Sequence, residues 1–212
     1  MTFLIDPSKF VVASSGVTLV GYTADANPAA PSTSMAFPSG TAVGDVAIYA
    51  YVTTNATIPS GWSGGSASMQ SSGYSLSYAS KVITAPDLSD GYVAGLYGTG
   101  KFLLAVYRGV TAATAKTFGV CPYDPDTGIG IGVNQYSLSF TKGGSSKKEV
   151  GIWLNAIASY SLSSHPWTNR YMNTAWGLHD ADPGDYTNGS TITTTWGAPG
   201  DIYSAWMIWE LS

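Results

Sequence analysis

The stretch Val46-Ala47-Ile48-Tyr49-Ala50-Tyr51-Val52-Thr53 reads as a β-strand before anything else. Val46, Ile48, Ala50 and Val52 fall on one side of an extended chain and Ala47, Tyr49 and Tyr51 on the other, because successive strand side chains point to opposite faces. The pattern predicts a strand covered on one face and partly covered on the other. Working outward, residues 74–82 set Tyr74, Leu76, Tyr78 and Val82 against Ser75, Ser77, Ala79 and Lys81, as in a half-buried strand. Residues 102–106 are apolar on both faces. Val150, Ile152, Leu154 and Ala156 alternate with Gly151, Trp153 and Asn155, which suits central strands of a layered sheet structure. Tyr203, Ala205, Met207, Trp209 and Leu211 form one apolar face of a closing strand tied into the core.

Between residues 129 and 140 the apolar set shifts phase by one residue, which predicts a β-bulge near Asn134. Turn clusters occupy residues 27–32, 59–65, 122–128, 142–148, 180–189 and 197–201. Short strands with such punctuation, and no convincing amphipathic helical stretch, predict an all-β fold. The expected architecture is a two-sheet antiparallel β-sandwich, jelly-roll-like, in one domain over residues 1–212 with very little helix.

Composition bounds the function. Charged residues make up 10% of the 212, against roughly 25% in typical soluble domains. Nine basic against thirteen acidic residues give no positive field to draw phosphate backbones or anionic lipid, so nucleic acid and membrane surfaces are poor partners. The first ten residues show no secretory pattern, and no 18 apolar residues stand together. Cytosolic synthesis is the expectation. The lone Cys121 cannot form an internal disulfide and reads as a small core or turn residue.

Chemistry-bearing motifs are sparse. Gly61-Trp62-Ser63-Gly64-Gly65 matches the G-x-S-x-G nucleophile elbow in form, but no helical pattern follows Ser63, and neither His165 nor His179 carries a triad signature. Asp180, Asp182 and Asp185 cluster in one loop-like segment and Asp124 and Asp126 in another. Calcium takes six to eight oxygens from such loops, yet no EF-hand pattern is present, so a solvated turn is expected with calcium as the alternative. Two histidines and one cysteine leave little for a zinc or iron site. Glu149 and Glu210 are the only glutamates; a glycosidase would need two carboxylates about 5 to 10 Å apart in a cleft. Asp45, at a strand start, reads as a turn or capping residue. Residues 142–148, Lys-Gly-Gly-Ser-Ser-Lys-Lys, read as a flexible, solvated hairpin tip. Gly128, Gly130 and Gly132 alternate along a strand, as in close packing. No catalytic residue and no cofactor is expected.

Seven Trp and fourteen Tyr are a heavy aromatic load, and most must be cross-strand packing. Trp167, Arg170 and Tyr171 lie in a stretch of weak alternation, with Trp176 just beyond. They are the candidate contacts for a protein partner or a sugar ring.

Five pieces in order carry a resemblance: Gly44-Asp45 opening Val46 to Val52; Ile58-Pro59-Ser60-Gly61-Trp62; Leu76-Ser77-Tyr78-Ala79-Ser80-Lys81; Leu104-Ala105-Val106-Tyr107-Arg108-Gly109-Val110; and Ala205-Trp206-Met207-Ile208-Trp209. This set resembles the β-sandwich domains of tail, fibre and decoration proteins of tailed bacteriophages. The resemblance implies a non-enzymatic building block on a virion, made in the host cytoplasm. It further implies contact with other virion proteins, homo-oligomeric assembly and, as the alternative, recognition of a host surface glycan.

Overall fold

The computed structural model describes residues 16–25, 33–69, 73–120, 135–155, 161–163, 167–172, 176–181, 189, 191–197 and 204–212. The first half of the chain forms β1 (Thr18–Asp25), β2 (Thr33–Ala36), β3 (Val46–Asn55), β4 (Ser63–Ser68), β5 (Ser75–Val82), the short helix α1 (Ala85–Asp90) and β6 (Tyr92–Arg108). The second half adds β7 (Ala113–Val120), β8 (Gln135–Thr141), β9 (Lys148–Asn155), β10 (Ser161–Ser163), β11 (Thr168–Met172), β12 (Trp176–Ala181), β13 (Thr191–Gly197) and β14 (Ser204–Leu211).

Two antiparallel sheets face each other, so the chain is an all-β sandwich. The first runs β1-β6-β3-β5-β4, with β2 paired to the N-terminal part of β6; the second runs β11-β12-β9-β14-β7. A third sheet, β10-β13-β8, adds to the two that were expected. Between the facing sheets, Val46, Ile48, Ala50 and Val52 of β3 and Leu103, Ala105 and Tyr107 of β6 share one cluster with Val150, Ile152 and Leu154 of β9. Met207, Trp209 and Leu211 of β14 complete it. Each large side chain buried there contributes about 1.5–3 kcal/mol, which lets a sandwich stand without disulfides.

The outer face of the first sheet is also covered. Ala47, Tyr49, Tyr51, Ala79, Phe102, Leu104 and Val106 form a second cluster with Met35, Ile83, Val93 and Leu96, and Trp62, Phe37 and Leu88 pack against it. The expectation of half-buried strands is therefore corrected. In β5, Ser77 and Ala79 are buried while Val82 is exposed, because the alternate face meets a second apolar layer rather than water. Seventeen-residue β6 makes this possible, since Val93 and Leu96 lie in its N-terminal part, which pairs with β2 rather than with β3. Helix α1 starts where Asp87 reaches back to accept from the Thr84 N–H (2.8 Å) and hydroxyl (2.6 Å), and Gly91 ends it at φ +76°.

Two turn boundaries shift. Residues 63–65, expected in a turn, open β4, and Asp180 and Ala181 close β12. The predicted bulge near Asn134, the glycines at 128, 130 and 132, and Cys121 lie outside the described residues.

Candidate functional site

Four of the five pieces of sequence that carry the resemblance come together at one end of the first sheet, and the fifth lies on β14 of the facing sheet. Gly44, at φ +89°, turns the chain so that Asp45 enters β3 with its carboxylate buried. Asp45 accepts from the Ala42 N–H (2.8 Å) and from Arg108 Nε and Nη2 (2.8 Å each). Arg108 Nη2 also donates to the Gly40 carbonyl, and the Asp45 carbonyl accepts from the Ile83 N–H. Burial pushes the Asp45 carboxyl up, but the Arg108 and Ala42 hydrogen bonds outweigh it and hold it below the usual carboxylate range. Gly109 follows at φ +88°, where a Cβ would sit 2.3 Å from the Gly16 carbonyl oxygen. Beside this corner, Trp62 packs on Tyr49 and the Lys81 ammonium pairs with Asp87. Asp45 is thus the turn residue that its position suggested, with a bidentate arginine that the sequence did not reveal.

Trp167, Arg170 and Tyr171 are not brought together as an exposed aromatic platform. Trp167 is 5% exposed and belongs to the interior. Arg170, on β11, turns its Nε onto both carboxylate oxygens of Asp180 at 2.9 Å. Tyr171 is half-buried and lies against Tyr22 of β1, with ring centroids 4.6 Å apart. Trp176 opens β12 opposite Leu154. The alternation that looked weak around Tyr171 has a cause: the β11–β12 register slips between Asn169 and Tyr171.

Asp180 corrects the solvated-turn expectation. It is 1% exposed, between the two sheets, and binds the Tyr107 hydroxyl (3.2 Å), Arg170 and Lys148 Nζ (3.5 Å). Burial, then the Asp180 charge, pushes the Tyr107 hydroxyl well above its usual value, so it stays a donor. Two cations and a phenol thus share this carboxylate. Asp182, Asp185, Asp124 and Asp126 lie outside the described residues, and among the described residues no group of three or more His, Cys, Asp or Glu could hold a metal.

The two glutamates do meet. Glu210 on β14 stands directly opposite Glu149 on β9, on the face of the second sheet turned away from the sandwich core. Both are buried. Glu149 Oε1 accepts from the Ser146 hydroxyl (2.5 Å), Glu210 Oε2 accepts from the Gly143 N–H (2.7 Å), and Lys116 Nζ lies 3.4 Å from Glu210. Burial raises the Glu149 carboxyl and Glu210 adds to this, against the Ser146 bond and the Lys142 charge. Its Oε2 makes no hydrogen bond among the described residues. The carboxylates therefore anchor the 142–147 loop, and the expected solvated basic tip is corrected: Lys142 and Lys148 are each 2% exposed.

Farther along the same face, Trp206 is opposite Trp153, with ring centroids 5.3 Å apart and planes 10° from parallel. Glycines flank them, Gly119 beside Trp206 and Gly177 beside Trp153. A Cβ on Gly119 would fall 2.0 Å from the Trp206 ring. His179 lies on this face too, opposite Gly151, at 1% exposure.

Ser63 opens β4, so a strand follows it where an elbow needs a helix. It lines two adjoining clefts, of about 410 and 330 Å³, along the sandwich side where β4 and β7 are the outer strands. Their walls include Ser63, Gly64, Tyr78, Lys81, Ala113 and Trp209. No protein-family model, curated protein or solved structure matches this chain.

Proposed function

We propose that this chain is a non-enzymatic structural component of a tailed-phage virion, associated with the tail or tail fibre or decorating the outside of the head. It acts by contact with other virion proteins. The observation that carries this reading is the convergence of the resembling pieces: Gly44-Asp45, Pro59 to Trp62, Lys81 and Arg108-Gly109 build one tied corner, and Ala205 to Trp209 supplies the facing strand. Residues separated by 63 positions are held by a two-pronged ion pair, which suits a rigid block. Burial of both faces of β3 and β9 leaves strand edges and loops as the places for contact.

A mass-spectrometric census of purified virions tests this. Hundreds of copies per particle indicate a head or tail-tube position, a few to some dozens a tail tip or fibre, and absence from the particle removes the proposal. A glycan-recognition reading keeps one supporting observation, the Tyr22–Tyr171 pair, in which Tyr22 is 37% exposed. Loss of glycan binding on Tyr22→Ala would favour that reading.

A further inference from the structure

In the facing sheets β1, β2, β4, β7 and β11 each pair with a single strand, and four of these five are guarded against pairing with another chain; β2 slips register between Thr33 and Met35. An edge strand offers unpaired N–H and C=O groups, and native proteins blunt it with bulges, charges or covering residues. β1 slips register between Leu19 and Gly21, where Pro38 presses so closely that a Cβ on Gly21 would lie 2.8 Å away. β7 is bulged opposite Ile208 and Trp209 and carries Lys116. β11 slips at Arg170.

β4 has none of these devices. Its six residues, Ser63-Gly64-Gly65-Ser66-Ala67-Ser68, are uncharged, include no proline, and pair with β5 in unbroken register from Ser63↔Ser80 to Ser68↔Ser75. Among the described residues, 63–68 make no backbone hydrogen bond except to β5. Every side chain is small, so a neighbouring strand meets no bulk on either face. Gly64 cannot be enlarged, because a Cβ there would fall 1.9 Å from the Tyr78 carbonyl oxygen.

We infer that β4 is a homotypic assembly edge, on which β4 of a second copy of this chain pairs antiparallel about a two-fold axis. The incoming strand must itself be unguarded, and of these five edge strands of the facing sheets β4 alone meets that condition. β8 and β10 of the third sheet are uncharged and unbroken in register too, but they belong to neither facing sheet. Two-fold pairing places Gly65 opposite Ser66 of the second copy and Ser63 opposite Ser68, and it joins two first sheets into one continuous sheet.

Sedimentation equilibrium over the micromolar range tests this, with Ser66→Lys as the disrupting variant and Thr114→Lys, on guarded β7, as the control. The expected result is a species of twice the 22.1 kDa chain mass. Its dissociation constant should rise about tenfold or more in S66K and stay within about twofold in T114K. Amide exchange in β4 should slow as concentration rises. Should circular dichroism show S66K misfolded, Ser68→Lys takes its place. A chain that stays monomeric, a dimer weakened equally by T114K, or β4 exchange independent of concentration overturns the inference. None of these outcomes bears on virion location, which the particle census decides separately.

Discussion

Arg108 holds Asp45 from the rim of the fold: the carboxylate side chain is 3% exposed while the guanidinium is half in solvent, and two bonds of 2.8 Å join them. The acid therefore carries the burial and the base stays hydrated, so each residue responds differently to substitution.

Asp45→Ala should lower unfolding free energy by about 1–3 kcal/mol, since it strips a buried acceptor from the Ala42 N–H as well as from Arg108. Urea denaturation of this variant beside Arg108→Lys checks it. The lysine keeps the charge but not the two-pronged geometry, and its loss should be smaller. Because the folded Asp45 lies below its unfolded value, its contribution is present above about pH 4 and vanishes as pH falls through the folded pKa.

Glu149 should show the opposite pH sign. Its carboxyl is raised in the fold, so its neutral form stabilises below about pH 4.3, and that contribution is lost as pH rises through the folded value. Glu149→Gln is expected to raise the melting temperature at pH 7 and to match the native chain near pH 4. A gain that does not depend on pH would show that Glu149 is not raised.

Gly119→Ala should destabilise by about 1–3 kcal/mol, because the added methyl falls within the Trp206 ring. It should also weaken the near-ultraviolet circular dichroism of the stacked Trp153–Trp206 pair. Unchanged dichroism with a large stability loss would place the clash elsewhere.

Asp180→Ala leaves Arg170 and the buried Lys148 without their shared carboxylate and should cost about 3–5 kcal/mol. Lys148→Met removes one cation and leaves Arg170 in place, so the smaller loss is expected there. Thermal unfolding of the two variants gives the ranking.

Strand identity was legible in the sequence because period-2 alternation is a local property: β3, β5, β9 and β14 fall where Val46 to Val52, Leu76 to Val82, Ile152 to Leu154 and Ala205 to Leu211 put them. The number of buried faces was not. Ala47, Tyr49 and Ser77 look like residues of a partly wet face until β6 brings Val93 and Leu96 over them. The surroundings of the site candidates were not legible either. Trp167 and Arg170 read as contacts from their residue types and the weak alternation around them; the fold buries Trp167 and sets Arg170 on Asp180.

One signal was available. Glu149-x-x-x-Trp153 and Trp206-x-x-x-Glu210 are mirror images, and antiparallel neighbours in matched register set glutamate on glutamate and tryptophan on tryptophan. By itself the sequence determined that this chain is built of strands, without a disulfide and with few charges, because those follow from residue types and their spacing. Tertiary structure alone decided which strands became neighbours. Hence it decided which carboxylates met a cation and which met each other, since both depend on contacts between residues far apart in the chain.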